Sequence, residues 1–498
     1  MRGGVIWSGI LSRIMRVEPV RRQSGVAFGA TVLMTGIGFV STMLFAHLLG
    51  PEVMGGYFLF LAYYGIVELF GDGGIGGAAV KRMSEGREQE EYFTAFLLLR
   101  VSLFILVVLV IYFARDFFVD LNEEGLLMPL ICALSAGLLF SIGCNTAMGT
   151  GKVGISKTGD IVNYLVKVAI QIAAVLLGYG LAGLVGGVIA GMLAGSLLYW
   201  RYGRLQLKRF DFRHISSLAA FSFWIFLTAS GNIIFSYTDV IVIGYFLGNT
   251  EVGIYRVAYQ LTSAATFTAV ALQIALFPRI SRWAADGELR SVERVLKRAF
   301  SYALFLALPV CIGGTLLGDR LLYYLYGASF SGGAAFLPLL LLSQVVNVSL
   351  LLISMGISAL NRPDFNFRAT GAAATANLLL NIALIPALGM IGAAFATLVS
   401  ISLNALLSYR YISGIIRVHF DVRAIRNIIV SAIAMIPPLV ILRYGVPDAG
   451  AVITLCTVAI GAAIYLAILF RLDRKMKDDL LMIFRQLGVP IPLFIERF

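Results

Sequence analysis

The sequence predicts an all-α polytopic membrane protein of about 14 transmembrane helices, in which two parallel six-helix repeats form two lobes and two extra helices follow. The first observation is composition, because 59% of the residues are hydrophobic, only 13% are charged, and the mean hydropathy is +0.89. A soluble chain carries about 25% charged residues, so lipid is the solvent for most of this one. The other two observations are a series of apolar stretches and an internal repeat.

Apolar stretches of spanning length follow one another along almost the whole chain. The first six lie at about 26–48, 53–79, 93–114, 125–148, 158–178 and 181–200. A second six lie at about 218–247, 252–278, 299–318, 333–359, 368–386 and 389–409, and an extra pair at about 428–444 and 449–470. Ahead of them, residues 1–24 place apolar side chains on one face and most arginines elsewhere, which predicts an element lying in the cytoplasmic interface.

An internal repeat relates the two series of six. Gly50, Gly55 and Tyr57 recur 198 residues later as Gly248, Gly253 and Tyr255. Six is an even number, so both copies have the same orientation in the membrane. The predicted domains are an interfacial segment at 1–24, an N-lobe at 25–202, a linker at 203–217, a C-lobe at 218–412, extra helices at 413–471 and a cytoplasmic tail at 472–498.

The distribution of basic residues predicts the topology. The segments assigned to the cytoplasmic side hold 33 of the 39 Lys and Arg residues, whereas the outer loops hold only Arg115, Arg320 and Arg443. Basic residues near span ends stay on the cytoplasmic side, and one miscounted helix would invert every later loop. We therefore expect a multi-pass protein of the cell membrane with both termini in the cytoplasm.

The sequence argues against an enzyme. No loop exceeds about twenty residues, which leaves no room for a soluble catalytic domain. The four cysteines lie in apolar segments without CxxC spacing, and the three histidines are scattered, so neither a disulfide framework nor a metal site is expected. We expect no cofactor and no nucleic-acid partner.

Polar residues inside the spans are the candidate site. A charge at the bilayer centre costs about 2.5–3.5 kcal/mol on insertion scales and is tolerated mainly beside a cavity. Lys167 and Gln171 share one face of the fifth span, and Asn377 and Asn381 form the counterpart in the eleventh. With Arg256 they are predicted to line a substrate cavity, where cations would attract an anion such as a pyrophosphate. The alternative for Lys167 and Arg256 is that they snorkel to the headgroups.

Three intramembrane carboxylates, Glu68, Asp72 and Asp239, are candidates for coupling to Na⁺ or H⁺. Asp72 has a structural alternative as the cap of a helix break at Gly73, and Asp239 as a partner of a neighbouring helix. The residue types alone do not distinguish the coupling role of these carboxylates from their structural role.

Several strings carry a family resemblance by their order and spacing: HLLGPEVMGGYFLF at 47–60, FGDGGIGGAAVKRMSE at 70–85, YTDVIVIGYFLGNTEVGIYRVAY at 237–259, LYGASFSGGAAFLPLL at 325–340 and NLLLNIALIPALGMIGAAFATLVS at 377–400. In these strings the chain resembles the lipid-linked oligosaccharide flippases of the polysaccharide transporter group, in the superfamily that also contains multidrug and toxin extruders. The resemblance places Asp239 where the family often has Asp. The chain departs from the family at His47 and Tyr245, where basic residues are common.

The resemblance implies two lobes around a partly cationic cavity that opens alternately to either side. It implies a flippase that moves a polyprenyl-linked glycan headgroup outwards, with membrane lipids and glycosyltransferases of the same pathway as partners. A cation-coupled drug or metabolite exporter of the same superfamily remains an alternative. A membrane glycan polymerase or ligase is a further one, disfavoured by the short loops.

Overall fold

The computed structural model describes residues 19–113, 115, 125–202, 205–445 and 450–478, and for 19–32 it describes the backbone alone. The predicted interfacial segment 1–24 lies outside these residues except for 19–24, which form the first turns of a helix. The predicted tail 472–498 lies outside them from residue 479 onwards.

Every regular element in the described part of the chain is helical. The first six helices are α1 (Pro19–Asp72), α2 (Ile75–Ser84), α3 (Gln89–Phe113), α4 (Leu127–Gly149), α5 (Val153–Leu176) and α6 (Gly180–Tyr202). The next five are α7 (Phe212–Phe246), α8 (Asn249–Thr262), α9 (Phe267–Ala285), α10 (Leu289–Tyr326) and α11 (Leu337–Ala359). The last five are α12 (Pro363–Leu388), α13 (Met390–Ser413), α14 (Val422–Ala434), α15 (Ile436–Gly445) and α16 (Ala451–Leu472).

Among the described residues, 13 helical stretches are long and apolar enough to cross a membrane, which confirms the predicted polytopic all-α class. The expected number was 14, and the difference arises because α1 joins the first two predicted spans. Its backbone leaves the helical conformation at Gly50, where φ is 74° and ψ is 178°. Pro51 follows, and the residue before a proline is disfavoured in the helical conformation. The break at Gly50 therefore separates two spans within one helix.

The second predicted span, 53–79, is interrupted near its C-terminal end. Helix α1 ends at Asp72 and α2 begins at Ile75. Gly73 and Gly74 lie between them with φ of 56° and 76°, a left-handed conformation that glycine adopts without the cost a side chain would impose. The glycine run thus ends one helix and allows the next to start inside the span.

The chain divides into two compact units by its own contacts. The first contains the described residues up to Phe45 and Val67–Phe226, and its apolar core joins α2, α3, α4 and the start of α7. The second contains Ala46–Ile66 and the described residues from Leu227 onwards. Its cores lie among α9, α10 and α11, and between α10 and the α14–α16 helices. The predicted lobe limits, 25–202 and 218–412, were placed from the internal repeat and not from contacts between helices. They therefore stay a prediction.

Ion pairs hold the predicted linker against the first unit. Lys208 Nζ lies 2.6 Å from Glu90 Oε2, and the Lys208 backbone N–H donates to Thr94 Oγ1 at 3.0 Å. The hydrogen bond to Glu90 raises the pKa of Lys208 above its ordinary value. Farther along, Glu88 contacts Arg213 at 2.5 Å and His214 Nε2 at 3.2 Å. Residues 208–214 are therefore held against the start of α3.

A row of glycines brings α6 close to α5. A Cβ at Gly183 would lie 2.7 Å from Ala174 Cβ, and one at Gly191 would lie 2.8 Å from Lys167 Cβ. A Cβ at Gly187 would press on Gln171 Cγ and lie 3.0 Å from the Lys167 carbonyl oxygen. Small residues at every fourth position allow such close packing of helices in lipid, where no hydrophobic drive favours association.

Two repeat-related glycines contact each other in the second unit. A Cβ on Gly55 would collide with the Asn249 carbonyl oxygen, and a Cβ on Gly253 would collide with the Pro51 carbonyl oxygen. Each of those Cβ positions is also 3.0 Å from the backbone nitrogen of the other glycine. Since Pro51 and Asn249 are themselves repeat-related, the crossing of α1 and α8 is symmetric with respect to the repeat.

The adjacent glycines Gly186 and Gly187 offer a matched test of the α5–α6 packing. We expect Gly187→Ala to lower the free energy of unfolding by about 1–3 kcal/mol, because its methyl group would press on Gln171 and the α5 backbone. Gly186→Ala places its methyl group where no atom lies within 4 Å, and alanine favours the helix, so it should be neutral or stabilising. Thermal unfolding in detergent measures both. Equal melting temperatures would contradict the packing.

Candidate functional site

The polar stripe predicted on α5 divides into two environments. Tyr164 Oη donates to the Met34 carbonyl oxygen at 2.7 Å, and Lys167 Nζ lies 4.6 Å from the centre of the Tyr164 ring. Gln171 is only 2% exposed and donates from Nε2 to the Leu184 carbonyl oxygen of α6 at 2.8 Å. Lys167 and Gln171 therefore share a helix, but Gln171 ties α5 to α6 while Lys167 faces an aromatic ring.

Arg256 also faces aromatic rings. Its guanidinium carbon lies 5.6 Å from the centre of the Phe58 ring and 5.7 Å from that of Tyr259. Neither Arg256 nor Lys167 has an ion-pair partner within 4.0 Å among the residues that the structure describes. Both side chains are half-buried. An aromatic face attracts a cation without supplying an opposite charge, so no described carboxylate offsets either cation.

Asp239 lies at the centre of a buried hydrogen-bond cluster in the second unit. It is 8% exposed on α7. Its Oδ1 accepts from Asn381 Nδ2 of α12 at 2.6 Å. Its Oδ2 accepts from Tyr255 Oη of α8 at 2.8 Å and from Thr397 Oγ1 of α13 at 2.6 Å. Asn381 Nδ2 also donates to Asn377 Oδ1 at 3.1 Å. Four helices thus meet at one carboxylate.

Every described hydrogen-bond partner of Asp239 is neutral, and no Lys or Arg lies within 4.0 Å of it in the described part of the chain. Two buried polar atoms of the cluster, Asn381 Oδ1 and Asn377 Nδ2, have no hydrogen-bond partner among the described residues. A buried carboxylate surrounded by neutral donors is costly, and a bound cation or proton would offset its charge. The cluster therefore has the chemistry of a monovalent cation or proton site.

Sequence reasoning named Asp239, Asn377 and Asn381 but not Tyr255 or Thr397. A signal existed for both. Tyr255 is a repeat-conserved position of this chain, matching Tyr57, and Thr397 lies in the GAAFAT string at 392–397. Without a fold, nothing in the sequence brings Thr397 to Asp239, from which it is 158 residues distant.

Glu68 and Asp72 lie in the first unit beside a buried arginine that sequence reasoning did not assign to the site. Arg100 of α3 is 1% exposed and its Nη2 pairs with Glu68 Oε1. Arg100 Nε is 3.5 Å from Asp72 Oδ1, and Nη2 donates to Ser141 Oγ at 3.2 Å. Asp72 Oδ1 also accepts from the Gly76 backbone N–H at 3.3 Å, so the residue does cap the helix break. The signal for Arg100 was its charge within a span of mean hydropathy 2.8.

An apolar cavity of about 420 Å³ lies in the second unit. It is bounded by α10, α11, α15 and α16, with lining residues that include Pro309, Leu337, Met435, Val458 and Tyr465. The lining is almost entirely aliphatic and aromatic, which suits a hydrocarbon chain rather than a polar headgroup.

Two family models match the chain. The model described as "Polysaccharide biosynthesis protein" matches residues 20–284, and the model described as MatE matches residues 225–384. The first match covers more than half of the chain. Both agree with the resemblance that the sequence motifs carry.

Individual proteins are similar over most of the chain. In Haloferax volcanii, the probable low-salt glycan biosynthesis flippase Agl15 is 29% identical over 425 residues, which cover 83% of this chain and 88% of that protein. The probable flippase AglR of the same organism is 28% identical over 471 residues, or 92% and 97% of the two chains. A solved structure of the lipid II flippase MurJ in an inward-closed conformation superposes with a TM-score of 0.77 at 18% identity, covering 91% of this chain and 99% of its own. At that identity the last match is one of fold.

Asn381→Leu tests the Asp239 cluster. The change removes the donor to Asp239 Oδ1 and should lower the free energy of unfolding by about 1–3 kcal/mol, because a buried carboxylate oxygen loses its partner. Asn232→Leu is the matched control, since Asn232 is exposed and makes one hydrogen bond of 3.4 Å within its own helix. Melting curves in lipid nanodiscs measure both. A melting temperature for Asn381→Leu equal to that of the control would show that the cluster is not coupled to stability.

Proposed function

Because the chain belongs to the polysaccharide biosynthesis protein family, we propose that it is a flippase for a polyprenyl-(pyro)phosphate-linked oligosaccharide. It carries this lipid from the cytoplasmic to the outer leaflet of the cell membrane by alternating access, for synthesis of a surface polysaccharide or a glycoprotein glycan. The observation that carries the proposal is the similarity to proteins named flippases over 83% and 92% of this chain. The lipid-linked glycan is the substrate, and glycosyltransferases of the same pathway would supply it.

Lys167 and Arg256 are the residues best suited to the phosphate groups of the substrate. Each lies against an aromatic ring and has no described ion-pair partner. Phosphate oxygens accept charge-assisted hydrogen bonds from both side chains, and a charge inside a membrane is retained where it serves a function. The apolar cavity beside α15 and α16 suits part of the polyprenyl chain.

Coupling to Na⁺ or H⁺ is assigned to the Asp239 cluster. Carboxylate, amide and hydroxyl oxygens are the ligands that a hard cation prefers, and Asp239, Asn377, Asn381 and Thr397 supply all three kinds. A proton on Asp239 would neutralise it equally well. In either case, occupation would change the hydrogen bonds that join α7, α8, α12 and α13, and this links ion binding to the packing of the second unit.

A cation-coupled exporter of drugs or metabolites is the second candidate, and the MatE match at 225–384 favours it. That match covers less of the chain than the polysaccharide model does. Purified protein in liposomes separates the candidates: a flippase moves the lipid-linked glycan, and an exporter moves a cationic drug. A glycan polymerase or ligase would instead lengthen or transfer the glycan.

Alanine substitutions test the two cations. We expect Lys167→Ala and Arg256→Ala each to reduce translocation of the lipid-linked glycan by about tenfold or more, because a charge-assisted contact to phosphate is worth about 1.5–3 kcal/mol. Lys157→Ala is the matched control on α5, since Lys157 is exposed and paired with Asp160 at 3.0 Å. Arg362→Ala is the second control, an exposed arginine over the Phe365 ring. The assay is the appearance of glycan on the outer leaflet of liposomes. Unchanged rates in both alanine variants would remove these residues from the mechanism.

Asp239→Asn tests the coupling site. Wild-type transport should respond to a gradient of Na⁺ or of H⁺, and Asp239→Asn should abolish the response, because the amide neither titrates nor offers a charge to a cation. Asp364→Asn is the control, an exposed carboxylate in the first turn of α12. The measurement is the transport rate in liposomes with and without each gradient. A retained ion response in Asp239→Asn would place the coupling elsewhere.

A further inference from the structure

A cavity in the first unit takes no part in the proposed phosphate and ion sites. Its volume is about 310 Å³, and small-molecule sites measure about 300–1,000 Å³. The start of α3, the last turns of α4, the start of α5, the last turn of α6 and Leu205 form its wall. The cavity therefore lies at one end of four spanning helices, where the apolar segments meet their connections.

Lys152 is the one charged side chain among the described residues that line this cavity. Its Nζ donates to the Tyr202 carbonyl oxygen, at the end of α6, over 3.2 Å. An ammonium group has three donors, and this bond uses one of them. No carboxylate oxygen lies within 4.0 Å of Lys152 Nζ in the described part of the chain. The cavity thus contains a positive charge that no described side chain offsets.

The N-terminus of α5 adds to the positive potential at the cavity. Lys152 is the N-cap residue of this helix, and its side chain makes no capping hydrogen bond. The first N–H groups of a helix lack partners within the helix, and the helix dipole places a partial positive charge there. An anion in the cavity would meet both the ammonium group and the helix terminus.

A buried hydroxyl without a partner belongs to the cavity wall. Thr146 lines the cavity and is 8% exposed, and its Oγ1 has no hydrogen-bond partner among the described residues. One turn later, Thr150 Oγ1 donates to the Thr146 carbonyl oxygen at 2.8 Å. A buried hydroxyl that makes no hydrogen bond is costly, and a ligand oxygen that accepts from it would remove the cost.

The surroundings of the cavity favour a lipid over a soluble anion. Phe93 and Ile142 make part of its wall apolar. Trp200 and Tyr202 line it and are 52% and 54% exposed. Trp and Tyr at the ends of spans lie at the level of lipid headgroups. The distribution of basic residues predicts that this end faces the cytoplasm, and the cytoplasmic leaflet is the one rich in anionic lipids.

The cavity is separate from the proposed phosphate site on the same helix. Lys152 and Lys167 are 15 residues apart along α5, which corresponds to about 22 Å at the helical rise of 1.5 Å per residue. A single phosphate or pyrophosphate group is too small to contact both ammonium groups. A ligand in the cavity is therefore a second ligand and not another view of the transported one.

We propose that this cavity binds the phosphate headgroup of an anionic phospholipid of the cytoplasmic leaflet. Lys152 Nζ, the N-terminus of α5 and the Thr146 hydroxyl donate to the phosphate oxygens. The apolar part of the wall contacts the glycerol backbone and the start of the acyl chains. Such a lipid joins the ends of α3, α4, α5 and α6, so it stabilises the first unit whatever the protein transports.

Native mass spectrometry of the full chain in a neutral detergent tests the site, and it needs no transport. The probes are phosphatidylglycerol, phosphatidylcholine with the same acyl chains, and soluble glycerol phosphate. The wild type should retain phosphatidylglycerol more tightly than phosphatidylcholine. Lys152→Met keeps most of the side-chain length but removes the charge, and should weaken phosphatidylglycerol binding by about fivefold, with phosphatidylcholine binding unchanged.

Lys157→Met is the matched control for general attraction between a basic protein and an anionic lipid. It removes the same charge from α5, but Lys157 is exposed, lies outside the cavity wall and is paired with Asp160 at 3.0 Å. Phosphatidylglycerol binding should therefore stay at the wild-type level. Lys152→Arg keeps the charge and should retain most of the binding.

Thr146→Val guards against misfolding, because it changes no charge and keeps the shape of the side chain. Its lipid-free melting temperature should not fall, since the hydroxyl has no described hydrogen bond to lose, yet phosphatidylglycerol binding should weaken. If Lys152→Met does not fold, Thr146→Val decides, and unchanged affinity there would overturn the proposal. Unchanged affinity in a folded Lys152→Met, an equal loss in Lys157→Met, or equal retention of both lipids by the wild type would overturn it as well. Glycerol phosphate bound as tightly as phosphatidylglycerol would show a site for a soluble phosphate and would also reject the lipid.

Discussion

The cost of placing a charge in hydrocarbon is the constraint on which the rest of this structure depends. Each ionisable side chain within a span has to be paired, surrounded by donors or placed beside a polar space. Glu68 and Asp72 meet the constraint through Arg100, and Asp239 meets it through Asn381, Tyr255 and Thr397. Lys167 and Arg256 rest against aromatic rings instead. The packing of the helices is therefore tied to where the charges lie.

The two units meet this constraint in different ways. The first unit pairs two carboxylates with one buried guanidinium. The second surrounds its carboxylate with neutral donors, which leaves a site suited to a small cation. The repeat gives both copies the same succession of helices. The two copies differ in the polar residues that those helices carry. Phosphate and ion can in this way be handled by separate residues of one chain.

The spans and the all-α class could be predicted because hydropathy depends on local composition alone. The break at Gly73–Gly74 was foreseen only as an alternative role for Asp72, because a long apolar window averages over two glycines. For the site, helical periodicity predicted one polar face for Lys167 and Gln171 of α5, but periodicity contains no information about which face meets α6. Asn381 is 142 residues from Asp239, and Arg100 is 32 residues from Glu68. Such pairs follow from tertiary packing, which spacing along one sequence does not encode.

The crossing of α1 and α8 at Gly55 and Gly253 has the form of an isologous interface, in which residue i of one copy meets residue j of the other and the reverse contact is also made. The Pro51 oxygen faces Gly253, and the Asn249 oxygen faces Gly55. One covalent chain thus holds within itself the interface of a homodimer. In a homodimer every substitution alters both sides at once, whereas in the fused chain each side varies alone, as Pro51 and Asn249 already do. Because the two copies are fused in one chain, each copy can acquire substitutions that the other lacks. A ligand with a charged end and a sugar end is itself asymmetric, so a symmetric site would not match it.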